Sequence, residues 1–282
     1  MSSKLKPLTF RVQRVLNRFF PPKVDEVKPG EKLFISASAS VKSGQDAERL
    51  IKRKNDTRYL KKDKGIVKVD RRRWHEAQTY EEKTWMVYNS GASDDRNLDH
   101  LNGFDGYKAI EGKKFNSAIE LGCGPFTNLR LILPKIKVGQ IDLLDPLLES
   151  YLLHPYCTYK SGELDGYKVK TVAKPIEEFE PTKKYDLVVI INVLEHCFDT
   201  DQIFKKILDM LKPGAVLVFE DKLYSAQHIK PQELYDAGHP LRIRQEVIKE
   251  FLHSNFKKQY ERILVEKSAD EPDSIYFIGT KK

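Results

Sequence analysis

The stretch that decides the fold is SAIELGCGPFTNLRLIL, residues 117–133. It begins as an apolar strand, turns at two glycines and continues with the apolar spacing of a helix. Gly122 and Gly124 carry no β-carbon, so the backbone can turn sharply there and lie against a ligand. The amides that open the following helix can meet a negatively charged group. The stretch therefore predicts a strand, a ligand-binding turn and a helix.

The residues around the turn indicate what it binds. In the dinucleotide-binding fingerprint a third glycine follows three residues after Gly124, but Thr127 stands there. Glu120 lies two residues before Gly122, where a carboxylate is an awkward neighbour for a pyrophosphate and a suitable partner for a cation. We therefore predict that Glu120, Gly122 and Gly124 contact a ligand with an ammonium group and no phosphates.

Outside this stretch, apolar runs alternate with helical patterns, which is typical of crossover units in a parallel sheet. This alternation predicts five strands, at residues 117–121, 139–144, 169–173, 185–191 and 215–220. Two more, 262–266 and 274–280, are joined by a polar turn too short for a crossover helix, so they must pair antiparallel. The sequence predicts a Rossmann-like α/β fold: a mostly parallel seven-stranded sheet with helices on both faces and an antiparallel C-terminal hairpin.

An acidic residue closes the second predicted strand. This strand ends as IDLLDP, which places Asp145 at the carboxyl edge of the sheet, 21 residues after Gly124. In nucleotide-binding folds a carboxylate at that distance accepts the hydroxyls of a ribose. A ligand that combines an amino acid with a ribose is S-adenosylmethionine, which we predict as the cofactor.

Three segments resemble the first, second and fourth motifs of the class I S-adenosylmethionine-dependent methyltransferases. They are residues 120–124 (Glu-Leu-Gly-Cys-Gly), Asp145, and residues 185–196 (YDLVVIINVLEH). The similarity covers residues 115–282 and is closest to the branch with an N-x-L-E-H segment after the fourth strand. It implies methyl transfer with S-adenosyl-L-methionine as cofactor.

Two further cofactor contacts are expected. Asn192 ends the fourth predicted strand, at the edge where open α/β sheets bind ligands, and is expected near the sulfonium. Its alternative role is a polar strand end that water satisfies. In the family, the segment after the third strand contacts adenine. Here that segment contains Ile176, which the resemblance assigns to adenine although the usual acidic residue is absent.

The acceptor is expected on the turns at the mouth of the same sheet edge. His196 and His239 are candidate general bases, because a histidine there can take a hydroxyl proton. Arg242 flanks Pro240 together with His239 and can hold a carboxylate or a phosphate through its guanidinium group. The alternatives stay open: His196 lies where a helix opens, and a turn histidine can serve a backbone hydrogen bond instead.

Residues 71–88, RRRWHEAQTYEEKTWMVY, predict a helix that covers the site as a lid. Trp74, Trp85 and Tyr88 would then shield the cofactor from water, which matters because methyl transfer disperses the sulfonium charge. Trp85 and Tyr88 are the candidate substrate contacts. The alternative is that these aromatic residues belong to an ordinary core.

Composition restricts the class of protein. The chain has 282 residues, of which 40% are hydrophobic and 32% charged, and no apolar run approaches the roughly 20 residues of a membrane-spanning helix. This disfavours an integral membrane protein. Cys123, Cys157 and Cys197 lie far apart without a Cys-x-x-Cys pair, which disfavours a disulfide framework and a cysteine zinc site. No metal site is predicted, and a reducing compartment fits best.

The net charge of +8 is unevenly distributed, since residues 1–74 carry 21 Lys and Arg against 8 Asp and Glu, and the remainder carries 28 against 33. An apolar stripe with adjacent arginines in residues 5–19 is typical of a helix on an anionic membrane, a mitochondrial transit segment or a helix docked on its own domain. We expect a cytoplasmic protein whose residues 1–74 contact an anionic membrane or another acidic partner, with mitochondrial targeting as the open alternative.

Three regions follow: a basic, mainly helical or irregular and partly mobile extension (1–69), a helical lid or substrate region (70–114) and a methyltransferase domain (115–282). The predicted function is methyl transfer to an oxygen or nitrogen of a small-molecule or glycan-like acceptor. The alternatives are an RNA or protein methyltransferase that uses the basic extension, and a non-catalytic cofactor-binding subunit. Nucleic acid therefore stays an open partner, and no oligomeric state is predicted.

Overall fold

The computed structural model describes residues 60–61, 64–88, 95–229, 237–268 and 270–282. The amphipathic leader and the rest of residues 1–59 lie outside the described residues, so the expected membrane or acidic-partner contact stays a prediction. Within the described residues, no helix is long and apolar enough to cross a membrane.

Most of the strands belong to one eight-stranded sheet. The strands in chain order are β1 (Leu60–Lys61), β2 (Gly65–Ile66), β3 (Lys114–Leu121), β4 (Lys137–Leu144), β5 (Glu163–Leu164), β6 (Tyr167–Val172), β7 (Tyr185–Ile191), β8 (Leu211–Leu223), β9 (Arg242–Ile243), β10 (Phe256–Leu264) and β11 (Asp273–Lys281). The main sheet has the order β10-β11-β8-β7-β3-β4-β6-β5. Strands β6, β4, β3, β7 and β8 pair in parallel, and β11 pairs antiparallel with both β8 and β10. The predicted parallel sheet with its C-terminal hairpin is confirmed.

The sheet differs from the prediction in two details. The two-residue strand β5 adds an eighth member, which pairs antiparallel with β6 at the edge. The strand expected at residues 262–266 is β10, which begins at Phe256 and ends at Leu264. Its first half consists largely of exposed polar residues, so a hydrophobicity pattern does not reveal it. The remaining predicted strands agree with the structure to within four residues at each end; they are β3, β4, β6, β7, β8 and β11.

The helices lie between these strands. They are α1 (Arg71–Lys83, continued by a wider turn over Thr84–Tyr88), α2 (Asp95–Gly103), α3 (Leu129–Ile132), α4 (Leu148–Tyr151), α5 (Thr200–Met210) and α6 (Gln245–Asn255). Short 3-10 turns cover Asp105–Ile110, Leu133–Lys135, Ile176–Glu178, Leu194–His196 and Ala226–His228. Helix α1 begins where the sequence supplies a cap, because the Asp70 carboxylate accepts from the Arg73 amide at 2.8 Å.

The sheet is covered on both faces. Alternate residues of a strand point to opposite sides, so Ile119 and Leu121 of β3 pack in one core with α5 and α6. Ala118 of the same strand packs in a second core with α3 and with the aromatic pair Phe104 and Tyr107. Both aromatic side chains are fully buried. The end of the predicted lid region is therefore part of the domain core.

The residues just before α1 also belong to the folded domain. Strands β1, β2 and β9 form a small antiparallel sheet. Val67 is buried, and its carbonyl accepts from the Thr200 amide at 2.9 Å, at the start of α5. The folded part of the chain thus starts earlier than the expected boundary at residue 69, because these residues pair with the C-terminal half.

Candidate active site

A cavity of about 710 Å³, open to solvent on one side, lies at the carboxyl ends of β3, β4 and β7. Its lining includes five of the six predicted cofactor residues: Gly122, Gly124, Asp145, Ile176 and Asn192. They come from four different chain segments that end at the same sheet edge, as expected for a doubly wound sheet.

The glycine turn needs its glycines for two reasons. Gly122 has φ +69° and Gly124 has φ +56°, a left-handed conformation that other residues rarely adopt. A β-carbon on Gly122 would also stand 2.5 Å from the Val193 side chain. The backbone after β3 therefore approaches the segment after β7 more closely than any other residue would allow.

The structure places Glu120 beneath the glycine turn, and its predicted contact with the ammonium group stays a prediction. Its carboxylate does not line the cavity but accepts from the amides of Asn128 at 2.8 Å and Leu129 at 3.0 Å, and from the hydroxyl of Thr127. Burial raises its pKa to about 7, although these hydrogen bonds act in the opposite direction. Glu120 thus links the end of β3 to the start of α3 through hydrogen bonds. Thr127, which replaces the third glycine of the dinucleotide fingerprint, donates one of them.

Asp145 lies where the sequence predicted it, at the end of β4 and in the cavity wall. Its two carboxylate oxygens accept from the amides of Gly124 at 3.0 Å and Leu147 at 2.9 Å. Burial raises its pKa to about 6. A carboxylate offers about four acceptor positions, so two remain for a ligand beside the glycine turn.

Asn192 and Ile176 complete this side of the cavity. Asn192 follows β7 with φ +57°, a conformation that asparagine tolerates better than most residues. Its backbone amide donates to the Glu220 backbone carbonyl at 2.9 Å. Ile176 follows Pro175 on a 3-10 turn after β6, with 3% of its surface exposed. We call this side, with its glycine turn, the sheet wall.

Helix α1 and the turn that continues it form the opposite side, which we call the helical wall. Trp74, Gln78 and Trp85 line the cavity at helical spacing. The Trp74 indole nitrogen and the Gln78 amide donate to the carbonyl of His196 at 3.1 and 3.0 Å. The Trp85 indole nitrogen donates to a carboxylate oxygen of Glu81 at 2.8 Å. The side chain of Tyr88, the other predicted substrate contact, lies outside the described residues.

His196 lines the cavity at the end of the helical wall, and its Nδ1 lies 3.1 Å from the Gly238 carbonyl. Its ring meets the His239 ring edge-on, with centroids 4.6 Å apart. His239 Nε2 lies 3.4 Å from Oε1 of the buried Glu195, whose Oε2 accepts from the Tyr224 hydroxyl at 2.7 Å. Burial lowers the pKa of His196. Burial tends to raise the pKa of Glu195, but the neighbouring histidines, with Tyr224, lower it.

The structure separates the three predicted acceptor residues. His196 lines the cavity, whereas His239 and Arg242 are not among the described residues of its lining. The Arg242 guanidinium donates to the His228 carbonyl at 3.1 Å and lies 5.7 Å from the Tyr224 ring centroid. Arg242 thus lies outside the described lining, beside Tyr224 and His228, and its contact with a substrate stays a prediction.

The polar residues of the lining that were not singled out from the sequence include Gln78, Glu81, Arg96 and His100. Gln78 and Glu81 share the helical spacing of Trp74 and Trp85, so the pattern that revealed the aromatic residues also contained them. Arg96 and His100 belong to α2, where no sequence signal distinguishes them from surface residues.

Comparisons with known proteins agree with this geometry. A family model described as "Methyltransferase domain" matches residues 119–217. The chain is 26% identical over 101 residues to the ubiquinone biosynthesis O-methyltransferase of Rickettsia prowazekii (strain Madrid E), a match that spans 36% of this chain and 37% of the relative.

Two solved structures share the fold. The N-methyltransferase NodS from Bradyrhizobium japonicum WM9, in complex with S-adenosyl-l-homocysteine, is similar with a TM-score of 0.50 at 18% identity, over 73% of this chain and 98% of that chain. The DhpI–SAH complex has a TM-score of 0.50 at 15% identity, over 76% and 98%. The matched domain contains the glycine turn, Asp145 and the segment through Asn192, in the order and places that form the cavity. Residues 119–217 therefore match a methyltransferase domain, and the chain has the fold of the class I S-adenosylmethionine-dependent methyltransferases.

Proposed function

We propose that this methyltransferase transfers the methyl group of S-adenosylmethionine to an oxygen or nitrogen atom of a small-molecule or glycan-like acceptor. One observation carries the proposal: a single cavity has a sheet wall suited to the cofactor and, opposite it, a helical wall of aromatic and polar side chains. The similar protein from Rickettsia prowazekii is an O-methyltransferase, which supports oxygen as an acceptor atom.

The sheet wall would hold the cofactor. The free acceptor positions of Asp145 are suited to the two ribose hydroxyls, as in other nucleotide-binding sheets. The left-handed turn of Gly122 and Gly124 brings backbone next to the amino-acid part of the cofactor, and Ile176 offers an apolar surface for adenine. Asn192 would lie near the sulfonium, at the end of the central strand.

The helical wall would hold the acceptor. Trp74 and Trp85 each have 5% of their surface exposed, so they narrow the space beside the sheet wall. The same cavity must contain the cofactor as well as the acceptor. A site shared in this way favours a small molecule or the end group of a glycan over a folded macromolecule.

Methyl transfer depends more on the alignment of acceptor and cofactor than on a particular catalytic side chain. The acceptor lone pair attacks the methyl carbon, the carbon–sulfur bond breaks, and its electron pair returns to a neutral thioether. Charge is dispersed in this step, so a site from which Trp85 excludes water favours it. Holding the two reactants in line supplies much of the acceleration. A hydroxyl acceptor must also lose its proton, and His196, one of the two histidines of the cavity lining, is the candidate base.

The test uses the full-length protein and methyl-labelled S-adenosylmethionine with fractionated cell extracts. We expect calorimetric binding of S-adenosylhomocysteine and label in the low-molecular-mass or glycan fraction. Label confined to RNA or protein would contradict the proposed acceptor class. Binding of S-adenosylhomocysteine without label in any fraction would instead support the non-catalytic subunit.

A further inference from the structure

We propose that Glu195, His196 and His239 form a binding site for one divalent first-row transition-metal ion at the acceptor end of the cavity. Each of the three residues offers one ligand atom, and these atoms lie within 4.8 Å of one another. No spacing in the sequence indicates such a site, because His239 is 43 residues beyond His196 and lies on a different turn. The fold brings the two imidazoles together.

The distance between two of the ligand atoms is compatible with a shared ion. His239 Nε2 and Glu195 Oε1 are 3.4 Å apart. Two ligand atoms bound at about 2.1 Å to one ion lie roughly 3.0 to 3.5 Å from each other. A second histidine–carboxylate pair offers a comparison, since His253 Nε2 and Glu261 Oε2 on the surface lie 2.5 Å apart. His239 and Glu195 are thus about as far apart as two ligands of one ion, while the surface pair is in direct contact. The ligand atoms of the three residues lie within 4.8 Å, so a pair near that limit must close by about 1 Å when an ion binds.

The surroundings orient the three ligands. A carbonyl oxygen can only accept, so the His196 Nδ1 that lies 3.1 Å from the Gly238 carbonyl carries the proton, and its Nε2 keeps a lone pair. Such a hydrogen bond to a backbone carbonyl is the usual support of a metal-binding histidine. The Tyr224 hydroxyl in the same way holds one oxygen of Glu195 and leaves the other for the ion. Glu81 Oε2, 3.9 Å from His196 Nδ1, adds negative potential nearby.

The donor set selects the kind of ion. Two imidazoles and one carboxylate suit zinc, cobalt, iron or nickel, whereas magnesium and calcium prefer all-oxygen sites. Three protein ligands also leave coordination positions open, as in catalytic rather than structural sites. Because His196 lines the cavity, an open position would face the acceptor. A bound acceptor oxygen would lose its proton more readily there. This role rests on the proposed function, whereas metal binding itself does not.

The test measures metal affinity of the full-length protein, independently of methyl transfer. Metal-free protein is titrated with Co²⁺, whose ligand-field absorption reports coordination by the protein, and Zn²⁺ and Mg²⁺ then compete. We expect one Co²⁺ per chain, displaced by Zn²⁺ and not by Mg²⁺ at the same concentration. His239→Gln and Glu195→Gln should each weaken binding at least about tenfold to 100-fold, the loss that even an outer partner of a ligand causes. His253→Gln removes the histidine of the surface pair and should leave the affinity unchanged.

Absence of Co²⁺ absorption in the unmodified protein would overturn the site, whether or not the variants fold. Equal affinity of His239→Gln and His253→Gln would also overturn it. Calorimetry with S-adenosylhomocysteine on the same samples separates the two proposals. Normal cofactor binding and methyl transfer without metal binding would reject the metal site and keep the proposed function. Metal binding without methyl transfer to any fraction would keep the site and reject the function.

Discussion

The sheet wall and the helical wall of one cavity are held together in different ways. On the sheet wall, carboxylates bind the backbone amides of neighbouring segments: Asp145 holds Gly124, and Glu120 holds a residue nine positions on. On the helical wall, the side chains of Trp74 and Gln78 reach a carbonyl more than 110 residues away. The sheet wall therefore depends on local backbone geometry, whereas the helical wall depends on long-range side-chain contacts that can change without changing the fold.

The strongest way to break the sheet wall is Gly122→Ala. Its β-carbon would meet Val193 at 2.5 Å in a left-handed conformation, so strain and overpacking together should cost about 2 to 5 kcal/mol. Gly112→Ala is the matched control, because Gly112 has φ +75° and open space around it. It should cost only the conformational strain, about 1 to 2 kcal/mol. Urea unfolding and calorimetry with S-adenosylhomocysteine measure both. Equal losses in the two variants would show that the close approach to Val193 is unimportant.

Asp145→Asn should weaken S-adenosylhomocysteine binding by about tenfold to 100-fold, because hydrogen bonds to a charged acceptor contribute about 1.5 to 3 kcal/mol. The unmodified protein should not bind NAD, since the turn lacks the third glycine of the dinucleotide fingerprint. Isothermal titration at pH 8, well above the pKa of about 6, keeps the wild-type carboxylate charged. Unchanged affinity in a folded variant would remove Asp145 from the cofactor site.

The buried carboxyl groups of Glu220 and Asp145 differ in their hydrogen bonds. Both oxygens of Asp145 accept from backbone amides, whereas one buried oxygen of Glu220 has no hydrogen-bond partner. Burial raises its pKa to about 8. The folded carboxyl keeps its proton after the unfolded one has lost it, so stability falls from the ordinary pKa of 4.5 until the folded carboxyl ionises at about 8. Between pH 7 and 8 the free energy of unfolding should fall with rising pH, by up to about 1.4 kcal/mol per unit for this group, and by pH 9 this slope should have nearly vanished.

Glu220→Gln should flatten this slope, as measured by urea unfolding at pH 7, 8 and 9. The measurements start at pH 7 because of His100, whose pKa burial lowers to about 3. Below about pH 6.5 this histidine takes up a proton in the unfolded chain but not in the folded one, which lowers the free energy of unfolding. A slope that persists in the variant would assign the effect to other buried acids, such as Asp221, whose pKa burial raises to about 7.

The smallest effect is expected from Gln78→Leu, which sharpens the contrast between the walls. It removes one 3.0 Å hydrogen bond to His196 and should lower kcat/KM for the acceptor by about two- to tenfold, the equivalent of about 0.5 to 1.5 kcal/mol. Affinity for S-adenosylhomocysteine should stay within twofold. A larger change in cofactor affinity than in kcat/KM would show that the two walls do not act separately. Gln202→Leu, on the solvent side of α5, is the control.

The same contrast explains how much could be predicted from the sequence. The mostly parallel sheet, its C-terminal hairpin and the places of Asp145 and Asn192 follow from where apolar strands begin and end, which periodicity reveals. The direction of Glu120 does not follow, since its carboxylate could face either the ligand or the helix start, and the hydroxyl of Thr127 and the amides beyond it decide. The positions of Arg242 and His239 depend on packing against Tyr224 and Glu195, far away in the sequence.

The small sheet of β1, β2 and β9 has a consequence for how the protein assembles. Residues 65–66 emerge early during synthesis, yet their partners at 242–243 emerge only after nearly the whole main sheet has been made. Contacts of such long separation form late, because a large loop must close first. Leu241, the residue before β9, donates its backbone amide to the carbonyl of Glu195. The turn that carries His239, beside the cavity-lining His196, is therefore expected to form among the last parts of the domain, after the glycine turn is in place.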